Sequence, residues 1–284
     1  MEKRCDLHTH STYSDGTLTP AQLLSAAEEA GLCAVALTDH NTVSGLPAFM
    51  EAAKQSTVEA VCGSEFSTDY QGTELHILGL YLRPEHFDAI TDLMEDAQRR
   101  KEESNRALVE ALNRAGYALD YESIKTRSPS GMINRAHIAM ALTEQGYTAD
   151  RQEAFSKLLS PKCGYYQPPQ RIDAFDMIRK IKEMGAVAVL AHPFLSIKEE
   201  AVLRTFLSTA VEAGLDGMEV YYSTFDEEQT QKALELTKEF GILPSGGSDF
   251  HGGNKPDIQL GKGRGALSVP MTLLEELRKR VYPG

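Results

Sequence analysis

The chain has 284 residues, of which 42% are hydrophobic and 25% charged, so it can bury a sizeable core in one large domain or two ordinary ones. Its formal net charge of −12 argues against a broad surface that coats nucleic acid, but leaves a nucleotide substrate open. No uninterrupted apolar run reaches about 18 residues, so no membrane span is expected.

The cysteines and the N-terminus predict the compartment. Cys5, Cys33, Cys62 and Cys163 show no CxxC spacing, and the first three lie in strand-like runs. We therefore expect reduced, buried thiols and no cysteine-bound zinc. The first strand-like run begins almost at once, which leaves no room for a signal peptide. A cytoplasmic protein is predicted.

Short apolar runs alternate with helical patterns in the first third of the chain. Thr19 followed by Pro20, a capping residue before a proline, predicts the start of a helix that ends near Gly31. A second helix is predicted near Gly45–Lys54. Strands are predicted at Lys3–Leu7, Cys33–Leu37, Val58–Cys62 and Glu74–Leu82.

The same alternation resumes after residue 170. Ala186–Leu190 is apolar on both faces, as a buried parallel strand requires. This pattern predicts parallel strands joined by crossover helices. The remaining strands are predicted at Gly217–Tyr221 and Ile242–Pro244, and the helices at Asp173–Met184, Glu199–Ala213, Glu227–Phe240 and Thr272–Arg280.

Residues 86–170 interrupt the alternation with mainly helical patterns. Helices are predicted at Asp88–Ala115, Ser130–Gln145 and Asp150–Leu159, followed by a proline-rich loop over Ser160–Gln170. We predict an α/β barrel body made of residues 1–85 and 171–284, with residues 86–170 inserted as a helical subdomain that caps the substrate.

Six of the eight histidines lie in short polar motifs, most of which follow predicted strands. For any one histidine, a hydrogen-bonded place in the core is the simpler interpretation. Core histidines, however, have no reason to favour strand ends, where a parallel barrel gathers its functional groups. Imidazole and carboxylate are the usual ligands of hydrolytic divalent metals. The candidate ligands are His8, His10, Asp15, His40, Glu65, His76, His192, Asp249 and His251.

The spacing within two motifs predicts local geometry. His8 and His10 are two apart on an extended chain and point the same way, so both can bind one ion, and Asp249 with His251 repeats that spacing. A turn at Asp15-Gly16 would bring its carboxylate over the same site. The Gly246-Gly247 pair would let the backbone approach the metals closely.

These motifs resemble those of the PHP (polymerase and histidinol phosphatase) family of metal-dependent phosphoesterases. The matching pieces are D-L-H-T-H, T-D-H, G-S-E, E-L-H-I-L-G, A-H-P and S-D-F-H, spread over essentially the whole chain. The resemblance implies a distorted (β/α)7 barrel with three divalent ions, which could be Mn, Fe or Zn. Position 41 is Asn where many relatives have Asp, but it is not among the implied ligands.

The resemblance also implies which residues hold each ion. The first ion would take His8, His10, Glu65 and Asp249. The second would take Glu65, His76 and His192, and the third Asp15, His40 and His251. Glu65 would bridge two ions, which suits a carboxylate.

Longer pieces resemble the TrpH-type subgroup, whose members act on nucleoside 3′,5′-bisphosphates or degrade short RNA from the 5′ end. The R-P-H segment of that subgroup is Arg135-Ala136-His137 here, and Arg135 and His137 are hypothesised to bind the second phosphate. Tyr165, Tyr166 and Arg171 flank the proline-rich loop and could stack a base or hold a phosphate.

The predicted function is hydrolysis of a nucleotide phosphate ester by a hydroxide that bridges the metals, with Glu65, His192 and His251 as catalytic residues. The substrate would be the 3′-phosphate of a nucleoside 3′,5′-bisphosphate, short 5′-phosphorylated RNA, or both. No membrane, extended duplex or obligate protein partner is expected. The alternatives are a histidinol-phosphate phosphatase, a proofreading exonuclease module of a DNA polymerase, and a non-catalytic metal-binding regulatory module. Against the second, a chain of 284 residues leaves no space for the polymerase.

Overall fold

The computed structural model describes residues 3–126 and 133–282. The chain divides into two compact units. The first comprises Met1–Asp92 and Ile172–Gly284, and the second comprises Leu93–Arg171. Each unit has its own hydrophobic core.

The described part of the first unit contains one eight-stranded sheet with the order β7-β6-β5-β4-β3-β2-β1-β8. Parallel pairing joins β1 to β2, β2 to β3, β5 to β6 and β6 to β7. The strands are β1 Arg4–Thr9, β2 Ala34–Leu37, β3 Glu59–Tyr70, β4 Thr73–Leu80, β5 Val187–Leu190, β6 Gly217–Tyr222, β7 Leu243–Gly247 and β8 Val269–Pro270.

Hydrogen bonds beyond the end of β7 bring the sheet back to its beginning. The amide of Asp249 donates to the carbonyl of His8 at 2.8 Å, and the amide of His10 donates to the carbonyl of Phe250 at 2.9 Å. The sheet is therefore a nearly closed barrel. The predicted α/β barrel class is confirmed.

Two strands depart from the predicted parallel pattern, and one of them, β8, was not predicted as a strand. β4 runs antiparallel to β3 and β5, and β8 runs antiparallel to β1. A turn of only two residues, Gln71 and Gly72, joins β3 to β4, with Tyr70 paired to Thr73. Both turn residues have positive φ, 52° and 83°, as in a type I′ hairpin. So short a connection cannot cross over, because a parallel pair needs a dozen residues or more.

Helices surround the barrel strands and begin where local capping chemistry places them. Thr19 and Gln22 form a capping box with Pro20 in the first turn, and Asp226 caps a later helix that ends at Gly241. The helices are α1 Pro20–Glu29, α2 Leu46–Ala53, α3 Phe87–Arg114, α4 Tyr121–Thr126, α5 Arg135–Glu144, α6 Arg151–Ala154, α7 Ala174–Glu183, α8 Pro193–Ser196, α9 Glu200–Glu212, α10 Glu227–Phe240 and α11 Met271–Arg278.

The core of the barrel unit is made of strand residues that are apolar on both faces, as β2 and β5 show with four buried residues each. All four cysteines are free thiols, but only Cys5 is buried. Cys33, Cys62 and Cys163 are partly exposed, so the predicted burial is wrong for these three thiols. Cys33 lies just before β2, and Cys163 is the last residue of a short 3-10 turn. A central core cluster contains Cys5, Leu7, Ala34, Ala36, Leu78, Val187 and Val189.

The second unit is helical and has a separate core. It contains most of α3, together with α4, α5, α6 and a π-helical turn at Phe155–Leu159. α5 begins after Asn134, whose side chain accepts a hydrogen bond from the amide of His137. The predicted helix began at Ser130, and residues 130–132 lie outside the described residues. The core of this second unit includes Leu108, Leu112, Ile138, Leu142, Leu158 and Tyr166.

Across residues 3–126 and 133–282, every helix is too short or too polar to span a membrane.

Candidate metal centre

The nine candidate ligands come from seven segments of the barrel unit. Six of these segments lie at or beyond a strand, mostly near its carboxyl end, and the seventh is the loop that holds Asp15. His76 is the exception in direction, because it lies within the antiparallel strand β4, paired with Ser67. The barrel therefore gathers residues as far apart in sequence as His8 and His251.

Glu65 lies at the middle of the cluster and is fully buried. Its two oxygens divide five histidines between them. Oε2 lies 3.2 Å from His8 Nε2, 3.3 Å from His10 Nε2 and 2.9 Å from His40 Nδ1. Oε1 lies 2.6 Å from His76 Nδ1 and 2.9 Å from His192 Nε2. A carboxylate shared in this way has the geometry of a bridging ligand.

Asp15 reaches the cluster on the turn that follows β1. Its Oδ1 lies 3.2 Å from His251 Nε2 and 3.8 Å from His40 Nε2. Gly16 is required here, because a Cβ at this position would lie 2.3 Å from the carbonyl oxygen of His10. Asp39 fixes the same turn by accepting hydrogen bonds from the Ser11 amide at 2.7 Å and the Ser14 hydroxyl at 2.6 Å.

The G-G-S-D-F-H segment does not have the extended geometry that its spacing predicts. Asp249 has a positive φ of 57°, so the chain bends sharply before His251. Gly247 lies close to the neighbouring strand β1, because a Cβ added at this position would lie 2.4 Å from the Cβ of His8. These departures still bring the Asp249 carboxylate within 3.2 Å of His10 Nε2.

Donor atoms within 4.8 Å of one another form three groups. One equals the ligand set implied for the first ion, and a second adds His10 to the set implied for the third. The remaining group contains His40 in place of His192, which contacts Glu65 directly. The groups are His8, His10, Glu65 and Asp249; His10, Asp15, His40 and His251; and His40, Glu65 and His76.

Several buried donor atoms in this cluster have no hydrogen-bond partner among the described residues. They are His8 Nε2, both ring nitrogens of His10, Glu65 Oε2 and His192 Nδ1. A buried polar atom without a partner costs about 1–3 kcal/mol, so a concentration of them at one point indicates a missing partner. Imidazole and carboxylate donors suit divalent Mn, Fe or Zn. The residues present therefore fit a divalent metal cluster.

Comparison with known proteins assigns this motif set to a family. The model of the PHP domain matches residues 6–168. The chain belongs to the PHP domain family. The candidate ligands His192, Asp249 and His251 lie beyond the matched residues and join the PHP motifs through the fold of the barrel unit.

This PHP protein aligns with its relatives over nearly their whole length. A 5′-3′ exoribonuclease of Haemophilus influenzae is 32% identical over 88% of this chain and 91% of its own. A phosphoribosyl 1,2-cyclic phosphate 1,2-diphosphodiesterase of Eggerthella lenta is 32% identical over 87% and 94%. A 3′,5′-nucleoside bisphosphate phosphatase of Chromobacterium violaceum is 27% identical over 97% of each chain.

Mutual electrostatics keep the PHP carboxylates ionised. Burial opposes ionisation, but the surrounding histidines hold the pKa of Glu65 and of Asp249 well below the usual range. Burial also disfavours the charged form of Asp15, yet contacts with His251 and His40 lower its pKa to about 2. Burial would lower the pKa of His8, whereas Glu65, Glu219 and Asp249 raise it well above its usual value. A metal that binds at His8 must therefore displace a proton from that ring.

Three further polar residues contact the candidate ligands or the segments that hold them, and are absent from the predicted site. Asp6 accepts hydrogen bonds from the Ser248 hydroxyl at 2.6 Å and its amide at 2.8 Å, which fixes the segment before Asp249. Tyr222 donates to Asp249 Oδ2 at 2.7 Å. Glu219 is buried in β6 and contacts His8. A charged residue between the apolar Met218 and Val220 is the sequence feature that could have indicated it.

The predicted substrate-binding residues of the helical unit make internal contacts. Arg135 donates to the carbonyl of Leu159 at 3.2 Å, and its guanidinium lies 4.5 Å from the ring centre of the buried Tyr166. His137 Nδ1 accepts from the amide of Asn134 at 3.2 Å, within the capping box of α5. Arg171 is exposed at the end of the proline-rich loop.

Proposed function

We propose that this PHP protein is a metal-dependent hydrolase that cleaves phosphate esters of nucleotides. The observation that carries this proposal is the set of buried, unpartnered imidazole and carboxylate atoms gathered around Glu65. The relatives' names support it, because each describes cleavage of a phosphate ester or diester.

The proposed centre holds three divalent ions, of Mn, Fe or Zn. His8, His10, Glu65 and Asp249 would hold one ion, with Glu65 shared. The others would be held by Glu65, His76 and His192, and by Asp15, His40 and His251. When bound, such ions activate water at neutral pH and neutralise charge on phosphoryl oxygens.

The chain's own residues would orient the ester and move the proton. Glu65 would orient the histidines that hold different ions, since its two oxygens contact separate sets of histidines. His192 and His251 are the proposed proton carriers to the leaving oxygen. His251 Nδ1 donates to the carbonyl of Asp249 at 2.8 Å, whereas His192 Nδ1 has no partner among the described residues.

The proposed substrates are nucleoside 3′,5′-bisphosphates and short 5′-phosphorylated RNA. Residues 1–85 and 171–284 would supply the chemistry, and residues 86–170 would cap the substrate. The proposed substrate contacts are Arg135, His137 and Tyr166 in the cap, together with Arg171 directly after it. Arg135 donates one described hydrogen bond, to Leu159, and its five N–H donors leave others for a phosphate. The four free thiols agree with the cytoplasm, the compartment that we propose.

A substrate panel tests this function. Phosphate or nucleotide release would be measured with Mn²⁺ on adenosine 3′,5′-bisphosphate, 5′-phosphorylated oligoribonucleotides, a ribose 1,2-cyclic phosphate, mononucleotides and histidinol phosphate. We expect kcat/KM to be highest for the first two. Preferred turnover of histidinol phosphate would favour the monophosphatase. Stoichiometric metal without turnover of any member would favour a regulatory metal-binding module.

A further inference from the structure

Glu219 is a fully buried carboxylate that is outside the ligand set. It lies in β6 between Met218 and Val220, which are also fully buried. Among the described residues its only ion-pair partner is His8. A buried carboxylate is costly unless its oxygens are hydrogen-bonded. The groups that donate to Glu219 therefore indicate what it does in the barrel.

The two oxygens of Glu219 accept hydrogen bonds from two different ligand residues. His8 Nδ1 donates to Oε1 at 3.0 Å, and the backbone amide of His192 donates to Oε2 at 2.7 Å. β6 pairs with β5 and β7 and not with β1, so the contact with His8 crosses the interior of the barrel.

Each contact fixes a different property of a ligand. With its Nδ1 proton donated to Glu219, His8 presents Nε2 to the carboxylate oxygens of Glu65 and Asp249, at 3.2 and 3.7 Å, so Nε2 is the nitrogen that would bind an ion held among these groups. His192 has a positive φ of 27°, a backbone conformation that non-glycine residues rarely adopt, and the bond from its amide holds that conformation.

We propose that Glu219 is a positioning residue that aligns His8 and His192 together for two neighbouring ions. This inference rests on the proposed metal centre. Carboxylates behind metal-binding histidines set the tautomer and orientation of the ring, and their loss costs about 10–100-fold in metal affinity or activity. Because Glu219 serves two ligands, its loss should weaken two ions at once.

Glutamine cannot replace this carboxylate. Its single oxygen can accept from His8 or from the His192 amide, but not from both. If the amide nitrogen of glutamine faces His8, it donates to Nδ1 and drives the ring proton to Nε2, which removes the lone pair that a metal needs. Glu219→Asp keeps the charge but is one methylene shorter, so it cannot reach both donors.

The test compares metal affinity with stability in wild-type protein and in Glu219→Gln, Glu219→Asp and Asp216→Asn. Asp216 is the matched control, because it is also buried, immediately precedes β6 and accepts a backbone hydrogen bond, from Ala188, but its cation partner is Lys182. Chelated protein would be titrated with Mn²⁺ against a competing chelator, and Co²⁺ absorption spectra would report ligand geometry.

We expect both Glu219 variants to bind Mn²⁺ about 10–100-fold more weakly and to show altered Co²⁺ spectra, with less than full occupancy of two sites. Asp216→Asn should lower the melting temperature and keep wild-type affinity. Wild-type affinity and spectra in both Glu219 variants would overturn the positioning role alone. Weakened affinity in Asp216→Asn as well would assign the effect to general stability. Wild-type protein that binds no ion would overturn the proposed function itself.

Discussion

Glu65 contacts five histidines with two oxygens, so its side chain is the most connected point of the centre. We expect Glu65→Ala to lose two ions per chain. Loss of a residue that only hydrogen-bonds to a metal ligand lowers activity by up to about 100-fold, so loss of the ligand itself should lower kcat/KM by more. Elemental analysis and phosphate release would measure both. Glu235→Ala, on the exposed face of α10, is the matched control and should change neither. Full metal content with retained activity in Glu65→Ala would exclude the bridging role.

His76 gives the metal-free protein a defined pH dependence. Burial alone would lower its pKa, but hydrogen bonds with Glu65 and Glu74 raise it to about 9, above the ordinary 6.5. The stabilisation from protonated His76 is therefore fully present below about pH 6.5 and is lost as the pH rises through 9.

In the presence of chelator, the melting temperature of wild-type protein should exceed that of His76→Asn at pH 6, and the difference should vanish above pH 9. Metal affinity should follow the opposite trend, because the ion needs the neutral ring. A difference in melting temperature that grows from pH 6 to 9.5 would contradict this assignment.

Gly247 shows how closely the strands approach at the centre. An alanine Cβ there would lie 2.5 Å from the backbone nitrogen of His8, a contact that requires the strand to move. We expect Gly247→Ala to destabilise the protein by about 1–3 kcal/mol and to reduce metal binding. Gly253→Ala is the control, since its Cβ would meet Thr17 at an ordinary 3.7 Å. Denaturant unfolding measures both, and equal stabilities would argue against this close approach.

At the level of elements, helix boundaries were the most predictable feature because their determinants are local. Thr19 and Pro20 start α1 at the predicted residue, and Glu227–Phe240 is the predicted helix itself. Strand pairing was less predictable, since the spacing of apolar residues along a strand does not determine whether the neighbouring strand runs parallel or antiparallel to it. The third strand was predicted to end at Cys62, but β3 continues to Tyr70. Phe66 and Thr68 in this extension are buried and pair with β4.

The hairpin between β3 and β4 makes the antiparallel departure testable. Gly72 has a φ of 83° with nothing near its Cβ position, so alanine would be strained but would not clash. We expect Gly72→Ala to destabilise by about 1–2 kcal/mol, the cost of a left-handed residue. Gln71→Asn should be neutral or stabilising, because asparagine tolerates positive φ. Thermal unfolding distinguishes them; equal effects of both substitutions would exclude this turn geometry.

At the scale of the molecule, the donor residues could be listed from the sequence because each motif is short. How they would share ions depends on distances across the barrel that no local pattern encodes. Glu219 was missed for this reason, since its partners His8 and His192 lie 211 and 27 positions away. The contact between Arg135 and Tyr166 could not be predicted for the same reason, since it depends on the packing of the helical unit.

All nine candidate ligands belong to the barrel unit, so metal binding should stabilise the two units unequally. Ligand bound only to the folded state stabilises by about 2.7 kcal/mol at 100 times its dissociation constant, and that energy acts on the unit that holds the ligand. Hydrogen exchange with Mn²⁺ or with chelator would measure it peptide by peptide. Chelation should speed exchange in β1, β3 and β7, while α5, in the core of the helical unit, keeps its protection. Equal loss in α5 would show that the two units unfold together, and unchanged protection in β1 would place the ions elsewhere.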